Sequence, residues 1–416
     1  MSKDTTLVFE CLLHNHTQKE KHRELEMFIR EGLRGRQIKI GTPVLITHPD
    51  IIRLRFSSLL GLDEDRTFGG FFHVNAPYAV KIHFYTNKKS RCDVFQQDEE
   101  QLFETTELPA EKLDCLWESL HFEKNTHNTL LSVITTMFRF SLAKVNSKII
   151  GINRMVLLHG PPGTGKTSLS RALFNKVAIQ NAHLSFSYLE INCQALFSKW
   201  FSESGKKIAR LFAEIQSLSD DKRKVVFVLV DEIESLTLAR STALGGNEPS
   251  DSIRAVNTLL TQLDRLTEKN NVIVIGTTNL LHAIDDAFLS RVDISVEIEP
   301  PSHRAAYNIL VSCIKELASC GLLALREKLA YFDSILAMNG FEYSPEHAKH
   351  SQSEQLYNIA KLASLVPLTG RTLRKAPFIA YTGIISRNDT PGCDALLEQL
   401  HRDMEQRKTE AQRVTK

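Results

Sequence analysis

The amino-acid sequence predicts an α/β protein whose central part is a doubly wound parallel sheet, and three observations support this fold class. Short aliphatic runs, such as the one from Val225 to Val230, have the length and composition of strands buried on both faces. Stretches with apolar residues at helical spacing separate these runs, which is the alternation that parallel strands require. A glycine-rich turn joins the strand at Met155 to His159 to the helix that follows it.

Length and composition set the outer limits. The chain has 416 residues, enough for two or three domains, and it is 42% hydrophobic and 24% charged, as globular proteins are. The longest apolar run is too short to cross a membrane, and the first residues lack the shape of a signal peptide. The seven cysteines form no C-x-x-C pair, which favours reduced thiols over a disulfide or zinc framework. We therefore expect a soluble intracellular protein with no membrane partner.

The charge balance argues against a nucleic-acid-binding surface. The formal net charge is +2, and the first hundred residues contain 15 Lys and Arg against 14 Asp and Glu. Proteins that bind nucleic acid without sequence preference concentrate positive charge on one face, because phosphate contacts supply most of their affinity. We therefore expect no direct nucleic-acid partner, and we expect partner binding to depend on shape and mixed polarity.

Residues 1–100 are predicted to form a small α+β domain. Four or more stretches rich in β-branched and aromatic residues are bounded by Gly, Pro, Asn or Asp, which is typical of strands. A helix near residues 18–33 has four apolar residues on one face: Leu25, Phe28, Ile29 and Leu33.

The remaining domain limits follow changes in composition. The acidic, proline-containing stretch over 101–112 is the predicted linker. Strands and helices then alternate, which predicts a large α/β subdomain over 113–300. Residues 301–395 have helical patterns and predict a small helical subdomain. Residues 396–416 have few apolar anchors and predict a charged tail.

The glycine-rich turn has the spacing G-x-x-x-x-G-K-[ST] between a strand and a helix, as in a phosphate-binding loop. Its glycines allow successive backbone N–H groups to face one concavity, which suits a multiply charged phosphate. Lys166 is expected to reach the β and γ phosphates, and the hydroxyl of Thr167 is expected to ligate Mg²⁺. The predicted nucleotide-binding residues are Gly160, Pro161, Pro162, Gly163, Thr164, Gly165, Lys166, Thr167 and Ser168.

Two acids, Asp231 and Glu232, follow the most apolar strand. Nucleotide hydrolysis requires one carboxylate to hold Mg²⁺ and another group to orient and polarise the attacking water. Asp231, next to the buried strand, suits the first role, and Glu232 suits the second. Asn279 ends another apolar strand, where its amide would either position water or form a turn. The residues alone leave these two alternatives for Asn279 open.

Four segments resemble the AAA+ ATPases over about residues 110 to 390: GPPGTGKT, VDEIES, GTTN and IDDAFLSRVDI. Longer segments, including LFSKWFSESGK, EPSDSIRAVNTLLTQLD and LTGRTLRKAPF, resemble more narrowly the pachytene checkpoint protein 2 family, also called thyroid receptor-interacting protein 13. This resemblance implies an AAA+ module, with its phosphate-binding loop and small helical lid, after an N-terminal domain that recognises substrate or adaptor. It also implies Mg²⁺-dependent ATP hydrolysis coupled to protein remodelling.

The resemblance further implies catalytic roles for Glu232, Asn279, Arg291 and Arg371. Asn279 matches the family's sensor 1. Arg291 matches the arginine finger that reaches a neighbouring subunit's nucleotide, a role that suits a guanidinium because it stays protonated. The sequence has one arginine there, where many AAA proteins have two. Arg371 matches sensor 2 in the lid, and Arg374, one turn later, is the alternative. Either residue could instead be an ordinary solvent-exposed arginine of a helix.

Lys199, Trp200 and Phe201 match the position of the AAA+ pore loop, where an aromatic ring holds a polypeptide without reading its sequence. Buried loop aromatics are the commoner use of such residues. We favour the pore loop because the segment lies between a strand and a helix start. The loop from Arg240 to Pro249 is flexible by composition and is a candidate for a second pore-facing loop.

The resemblance implies a homo-hexameric ring that partly unfolds HORMA-domain proteins by pulling a segment into its central pore. The implied partners are spindle-checkpoint and meiotic chromosome-axis HORMA proteins and a HORMA-like adaptor. Action in meiotic and spindle-checkpoint control would place the protein in the nucleus, at meiotic chromosomes and kinetochores, and in the cytoplasm. The alternative is a DNA-associated AAA+ machine such as a clamp loader or helicase loader. Against it stand the neutral N-terminal domain and the aromatic pore loop.

Overall fold

The structure of the protein is a computed structural model. It divides into two compact units, the first formed by Met1–Trp117, Leu130–His159 and Thr167–Val296, and the second by Glu118–Thr129, Gly160–Lys166 and Glu297–Lys416. The structure describes residues 6–15, 17–39, 41–60, 71–74, 79–88, 92–97, 100–122, 126–146, 149–193, 201–221, 223–235, 249–335, 351–366, 368–384 and 391–414.

The first unit begins with two small sheets. Their strands are β1 (Thr6–Leu13), β2 (Gln37–Lys39), β3 (Pro43–Val44), β4 (Ile51–Leu60), β5 (Phe71–His73) and β6 (Ala79–Tyr85). One sheet has the order β3-β4-β1-β6, in which β1 is antiparallel to β4 and parallel to β6. The other sheet pairs β2 with β5. The small α+β domain predicted for this part of the chain is therefore present.

Helix α1 (His22–Leu33) packs one apolar stripe into the core of this N-terminal part. Leu25, Ile29 and Leu33 are buried, as predicted, beside sheet residues that include Phe9 and Phe56. Phe28 belongs to the same predicted face but is 40% exposed, and its ring lies 4.8 Å from that of His48. Residues spaced by four make a narrow stripe, and Phe28 falls at its edge at about 100° per residue.

A seven-stranded sheet is the framework of the central part of the chain. Its strands are β7 (Cys92–Gln97), β8 (Glu100–Leu108), β9 (Met155–His159), β10 (Ser185–Asn192), β11 (Lys224–Asp231), β12 (Val272–Thr278) and β13 (Ile294–Glu297). Their order is β13-β9-β12-β11-β10-β8-β7. The neighbours β9, β12, β11 and β10 are parallel, which confirms the predicted parallel sheet.

The linker predicted over 101–112 is wrong for most of its length. Strand β8 pairs antiparallel with β10, from Leu108 opposite Phe186 to Phe103 opposite Ile191, and β7 continues the pairing as a hairpin. The acidic composition of the stretch hides a strand pattern, in which the buried Thr106 and Leu108 alternate with more exposed residues. Strands β7 and β8 therefore extend the parallel sheet by two antiparallel strands.

The helices of the central part are α2 (Leu116–Ser119), α3 (Thr126–Leu142), α4 (Lys166–Gln180), α5 (Phe201–Ser219), α6 (Pro249–Thr267) and α7 (Asp286–Leu289). The apolar face predicted for α5 is confirmed. Four of its residues are fully buried in one cluster with Val226, Val228 and Val230 of β11: Ile208, Leu211, Phe212 and Ile215. This packing fixes the central strands, whose carboxyl ends carry the predicted site.

A buried ion pair connects the N-terminal sheet to α4. The Lys176 ammonium lies 2.8 Å from Oε1 and 2.9 Å from Oε2 of Glu10, and the two side chains are 4% and 1% exposed. The Ser57 hydroxyl donates to Glu10 Oε1 at 2.9 Å, and the Trp117 ring centroid lies 5.6 Å from the ammonium. The helix that follows the phosphate-binding loop therefore shares a buried, charged interface with the N-terminal sheet.

The second unit contains the helices α8 (His303–Ser319), α9 (Gln352–Leu365), α10 (Gly370–Ile384) and α11 (Cys393–Val414). Ser302 caps α8 by accepting a hydrogen bond from the backbone N–H of Ala305 at 3.3 Å. The four helices enclose one apolar core, which confirms the predicted helical lid. None of the helices in the described ranges is both long enough and apolar enough to span a lipid bilayer.

The charged tail predicted over 396–416 is wrong through residue 414, because this stretch belongs to α11. Leu396, Leu400 and Met404 are buried in the core of the second unit. They recur every four residues, so they form one apolar stripe on a helix whose other faces carry the charges. The predicted tail is therefore a packed element of the lid.

Candidate active site

The first unit brings Thr167, Asp231 and Thr277 together. The Thr167 hydroxyl donates to the Asp231 carboxylate, at 3.0 Å to Oδ1 and 3.2 Å to Oδ2, and the Thr277 hydroxyl also donates to Oδ1. Asp231 ends β11, and Thr277 lies beside it on β12 because Val230 pairs with Gly276. The sequence predicted Thr167 and Asp231 as a pair, but it gave no signal for Thr277.

The donor set of this cluster fits Mg²⁺. A threonine hydroxyl and a carboxylate are hard oxygen ligands, and Mg²⁺ binds through one or two such groups while it keeps water and phosphate oxygens. Because the Thr167 hydroxyl and Asp231 carboxylate are already within hydrogen-bonding distance, a small ion could share both with little movement of either residue. Thr167 and Asp231 are therefore the residues that would hold the ion.

Glu232 has a strained backbone conformation. Its φ angle is 57°, in the left-handed region that residues other than glycine rarely adopt. The conformation is held from β12, since the Glu232 N–H donates to the Thr277 hydroxyl at 3.2 Å and the Ile233 N–H donates to the Thr277 carbonyl at 3.0 Å. Strain of this kind concentrates at functional sites. The structure therefore distinguishes Glu232 from an ordinary acid at a strand end.

Asn279 follows β12 and is bonded to Glu234, a residue that sequence reasoning missed. The side-chain Nδ2 and the backbone N of Asn279 donate to Glu234 Oε1 at 2.7 and 3.2 Å. Glu234 lies two residues after Glu232 and is 7% exposed. Glu234 stands in the segment VDEIES, so the acid itself could be seen in the sequence. Its partner Asn279 could not be predicted, because their contact depends on the pairing of β11 with β12.

The phosphate-binding loop belongs to the second unit, where it folds back on itself. The Lys166 ammonium donates to the carbonyl oxygens of Gly160 at 2.7 Å and Pro161 at 2.8 Å. Gly160, Gly163 and Gly165 have φ angles of 140°, 78° and 104°, which glycine alone adopts without strain. The loop thus has the backbone conformation that the glycine spacing predicted.

Two of these glycines also have no room for a side chain. A Cβ at Gly160 would lie 2.4 Å from the carbonyl oxygen of Ile298, and one at Gly163 would lie 2.8 Å from Oγ1 of Thr369. Ile298 and Thr369 belong to the same unit as the loop. The Ile298 backbone and the Thr369 side chain therefore pack directly against the loop, which restricts its conformation.

The two alternatives for sensor 2, Arg371 and Arg374, both lie in α10. The Arg371 backbone N–H donates to the Gly163 carbonyl at 3.2 Å, so the first turn of α10 lies against the phosphate-binding loop. The Arg374 guanidinium donates to the Ser119 carbonyl. Arg371 is thus attached to the loop through its backbone, and its role as sensor 2 stays a prediction.

The segment before α3 also approaches the loop, which sequence reasoning missed. A Cβ at Gly165 would lie 4.0 Å from Leu120 Cδ2 and from Phe122 Cζ. Burial lowers the pKa of His121, between them, to about 4, and the positive charges of Arg374 and His127 act in the same direction. The apolar and aromatic residues of SLHFE were the signal for a packed segment here.

Arg291 lies in the stretch that links α7 to β13. Its guanidinium makes two hydrogen bonds to Asp264 of α6, Nε to Oδ1 at 2.6 Å and Nη2 to Oδ2 at 2.8 Å, and it donates to the Ala287 carbonyl. The bonds to Asp264 raise the pKa of Arg291 above its usual value. Asn153 Nδ2 donates to the Arg291 carbonyl at 3.0 Å. Asn153, two residues before β9, thus holds the backbone of Arg291.

The predicted pore loop lies mostly outside the described residues. This applies to Lys199 and Trp200 and to residues 240–248 of the second candidate loop. Phe201 is the first residue of α5. The pore roles therefore stay predictions.

Two family models match the chain. Residues 156–300 match the ATPase family associated with various cellular activities (AAA), and residues 302–408 match the TRIP13-like, AAA+ ATPase lid C-terminal domain. The pachytene checkpoint protein 2 homolog of Danio rerio is 43% identical over 305 residues, which cover 72% of this chain and 70% of that protein. The Homo sapiens homolog is 45% identical over 279 residues, which cover 66% of this chain and 62% of that protein. The match therefore spans less than two thirds of the human relative's length.

Two solved structures have a similar fold. The structure of C. elegans PCH-2 covers 97% of this chain, with 99% of its own chain matched, a TM-score of 0.76 and 29% sequence identity. A chain from the E. coli MS115-1 HORMA:CdnC:Trip13 complex matches with a TM-score of 0.54 and 16% identity, covering 72% of this chain and 95% of that chain. With the glycine loop, the Thr167–Asp231 cluster and the helical lid in place, the chain belongs to the AAA ATPases, in the family of the pachytene checkpoint protein 2 homologs.

Proposed function

We propose that the protein is an Mg²⁺-dependent ATPase that remodels HORMA-domain proteins as a hexameric ring. The observation that carries the ATPase part is the Thr167–Asp231–Thr277 cluster at the carboxyl ends of parallel strands. The cluster brings together the hydroxyl and carboxylate groups that phosphoryl transfer uses. Its first residue, Thr167, follows in sequence a loop that has the conformation of a phosphate-binding loop.

In the proposed reaction, the chain positions charge and water. The loop N–H groups and the Lys166 ammonium hold the β and γ phosphates, and Lys166 exchanges its two loop carbonyls for phosphate oxygens. Glu232 orients the attacking water and accepts its proton, and Asn279 fixes the position of that water. Arg291 and Arg371 complete the site by neutralising the charge that develops on the transferred phosphoryl group.

Thr167 and Asp231 are the residues that we assign to Mg²⁺. When bound, the ion neutralises negative charge on the phosphate oxygens. The Thr277 hydroxyl keeps the Asp231 carboxylate in place, so its contribution is to orient a ligand.

We infer that hydrolysis needs a second subunit. Arg291 is held on its own chain by Asp264, which is 52% exposed, so the guanidinium lies close to solvent and can exchange this carboxylate for a neighbour's phosphate. A ring closes this head-to-tail contact on itself. Hexamers and a central pore lined by Lys199, Trp200 and Phe201 are the form that the family resemblance implies.

Names of similar proteins support the proposed substrate class. The curated relatives are pachytene checkpoint protein 2 homologs, and one structure of similar fold contains HORMA, CdnC and Trip13 together. We propose spindle-checkpoint and meiotic-axis HORMA proteins as substrates, with a HORMA-like adaptor as a further partner. The corresponding locations are meiotic chromosomes and kinetochores in the nucleus, and the cytoplasm.

The test of this proposal is ATP turnover by the full chain with candidate HORMA proteins, each with and without adaptor. Turnover that rises with a folded HORMA protein supports the remodeller, and turnover without Mg²⁺ equal to that with it would contradict the assigned ion. Salt-sensitive binding to generic DNA with stimulated hydrolysis would instead support a DNA-associated machine.

A second experiment separates pulling from hydrolysis. Trp200→Ala should keep ATP binding and ring assembly and lose conversion of the HORMA substrate, because an indole ring has no part in phosphoryl transfer. Trp117→Ala is the matched control, since Trp117 packs on Lys176 in the first unit. A folded Trp200→Ala ring that converts its substrate at the parent rate would rule out the pore-loop assignment.

A further inference from the structure

Glu234 is a buried acid whose side-chain hydrogen bonds in the described part of the chain all come from Asn279. Oε1 accepts from the Asn279 side chain at 2.7 Å and from the Asn279 backbone at 3.2 Å. Oε2 is buried and has no hydrogen-bond partner among the described residues. Burying a carboxyl group is costly unless it is hydrogen-bonded. We therefore expect the hydrogen bonds between Glu234 and Asn279 to have a function that offsets this cost.

The join between β11 and β12 does not need Glu234. The two strands pair in parallel through Val230 opposite Gly276. Just beyond that pair, the N–H groups of Glu232 and Ile233 donate to the hydroxyl and carbonyl of Thr277. These bonds already hold the ends of β11 and β12 together. The bonds to Glu234 therefore act mainly on the position of Asn279.

The contact determines which way the asparagine amide faces. An amide presents N–H donors on one side and a carbonyl acceptor on the other, and rotation by half a turn exchanges them. A carboxylate accepts hydrogen bonds, so it fixes Nδ2 of Asn279 toward Glu234 and turns Oδ1 away from it. A water that loses a proton needs an acceptor in a defined place, which is what a fixed Oδ1 supplies.

We propose that Glu234 is a positioning residue for ATP hydrolysis, which holds the Asn279 amide in one orientation and so places its carbonyl oxygen for the attacking water. This inference rests on the proposed ATPase function and on the role of Asn279 in it. Glu234 acts through Asn279 and touches neither nucleotide nor water in this scheme.

The first measurement is kcat and ATP affinity for substitutions of Glu234. Glu234→Leu keeps the volume and removes the acceptor, so kcat should fall about 10- to 100-fold while the Kd for ATP stays near that of the parent. Glu234→Asp keeps the charge but withdraws the acceptor from Asn279, and it should lose kcat similarly. Glu234→Gln keeps an acceptor at the same distance and should recover most of the loss. Glu190→Gln, on β10, is the control for removing a carboxylate elsewhere in the first unit.

The second measurement is a double-mutant cycle with Asn279→Ala. If Glu234 acts through Asn279, the double variant Glu234→Leu/Asn279→Ala turns over no more slowly than Asn279→Ala alone. Losses that multiply in the double variant would overturn the proposal, and so would parent-like kcat in folded Glu234→Leu and Glu234→Asp. Lys166→Ala reports on the ATPase function by itself, so failure of that function and failure of this proposal give different results.

Discussion

The buried pair of Glu10 and Lys176 should be far more sensitive to single substitutions than to their combination. Glu10→Gln keeps the shape and the acceptor for Ser57, but it removes the Glu10 charge that faces the buried Lys176 ammonium. Lys176→Met leaves the Glu10 carboxylate in the corresponding position. The double variant removes both charges and retains most of the packed volume.

The magnitude follows from the burial of both groups. With side-chain exposures of 4% and 1%, water cannot solvate the charge that remains, so each single substitution should cost about 3–5 kcal/mol of unfolding free energy. The double substitution should cost about 1 kcal/mol or less, because a buried pair gains little over apolar residues of similar size. At roughly 2 °C per kcal/mol, each single variant should melt about 6–10 °C lower.

Thermal melting followed by circular dichroism on the four proteins measures this cycle. Asp220→Asn is the control, because its pair with Lys269 is exposed, and it should shift the unfolding free energy by about 1 kcal/mol or less. If the double variant lost the sum of the two single losses, the pair would not be coupled. The inference that a charged interface fixes the N-terminal sheet on α4 would then be refuted.

Four further outcomes are expected. Glu232→Gln should bind ATP but hydrolyse it very slowly, because an amide replaces the carboxylate without a change of shape, whereas Lys166→Ala should lose ATP binding. Equal turnover by Glu232→Gln and the parent would contradict the catalytic role of Glu232. Rings that mix Arg291→Ala with Lys166→Ala subunits should regain some turnover, since certain interfaces join an intact loop to an intact finger; no recovery in verified mixed rings would count against Arg291. Leu400→Ala should cost about 2–5 kcal/mol in urea titrations, because this fully buried side chain would leave a cavity; a loss below about 1 kcal/mol would argue against the packed α11. Because burial lowers the pKa of His121 to about 4 from 6.5, stability should decrease as pH falls between these values, and His121→Gln should flatten that slope; an unchanged slope would exclude His121 as its source.

Local sequence was sufficient where local chemistry decides the structure. The run from Val225 to Val230 is buried as a strand, and the apolar face of α5 packs on it as its spacing predicted. Gly160 and Gly165 have the positive φ angles that a phosphate-binding loop demands. In each case the residue type dictates conformation within a few neighbours, so no knowledge of distant parts of the chain is needed.

What the sequence could not provide depends on register between distant strands. Thr277 and Glu234 meet their partners because Val230 pairs with Gly276, and no pattern within either strand specifies that pairing. The acidic composition of β8 led to the prediction of a linker, although its residues from Thr105 to Leu108 alternate between more exposed and buried positions. The stripe of Leu396, Leu400 and Met404 was visible in the sequence, but the surrounding charges concealed it.

The hairpin of β7 and β8 determines where this chain can be divided. A fragment that starts at residue 112 loses the strand that covers β10, so the backbone from Phe186 to Ile191 becomes an open sheet edge, which invites pairing with other chains. A fragment that starts just before Cys92 keeps the hairpin but lacks Glu10, so Lys176 loses this partner. The N-terminal sheets and the parallel sheet thus belong to one compact unit, and a cut between them removes contacts that both sides use.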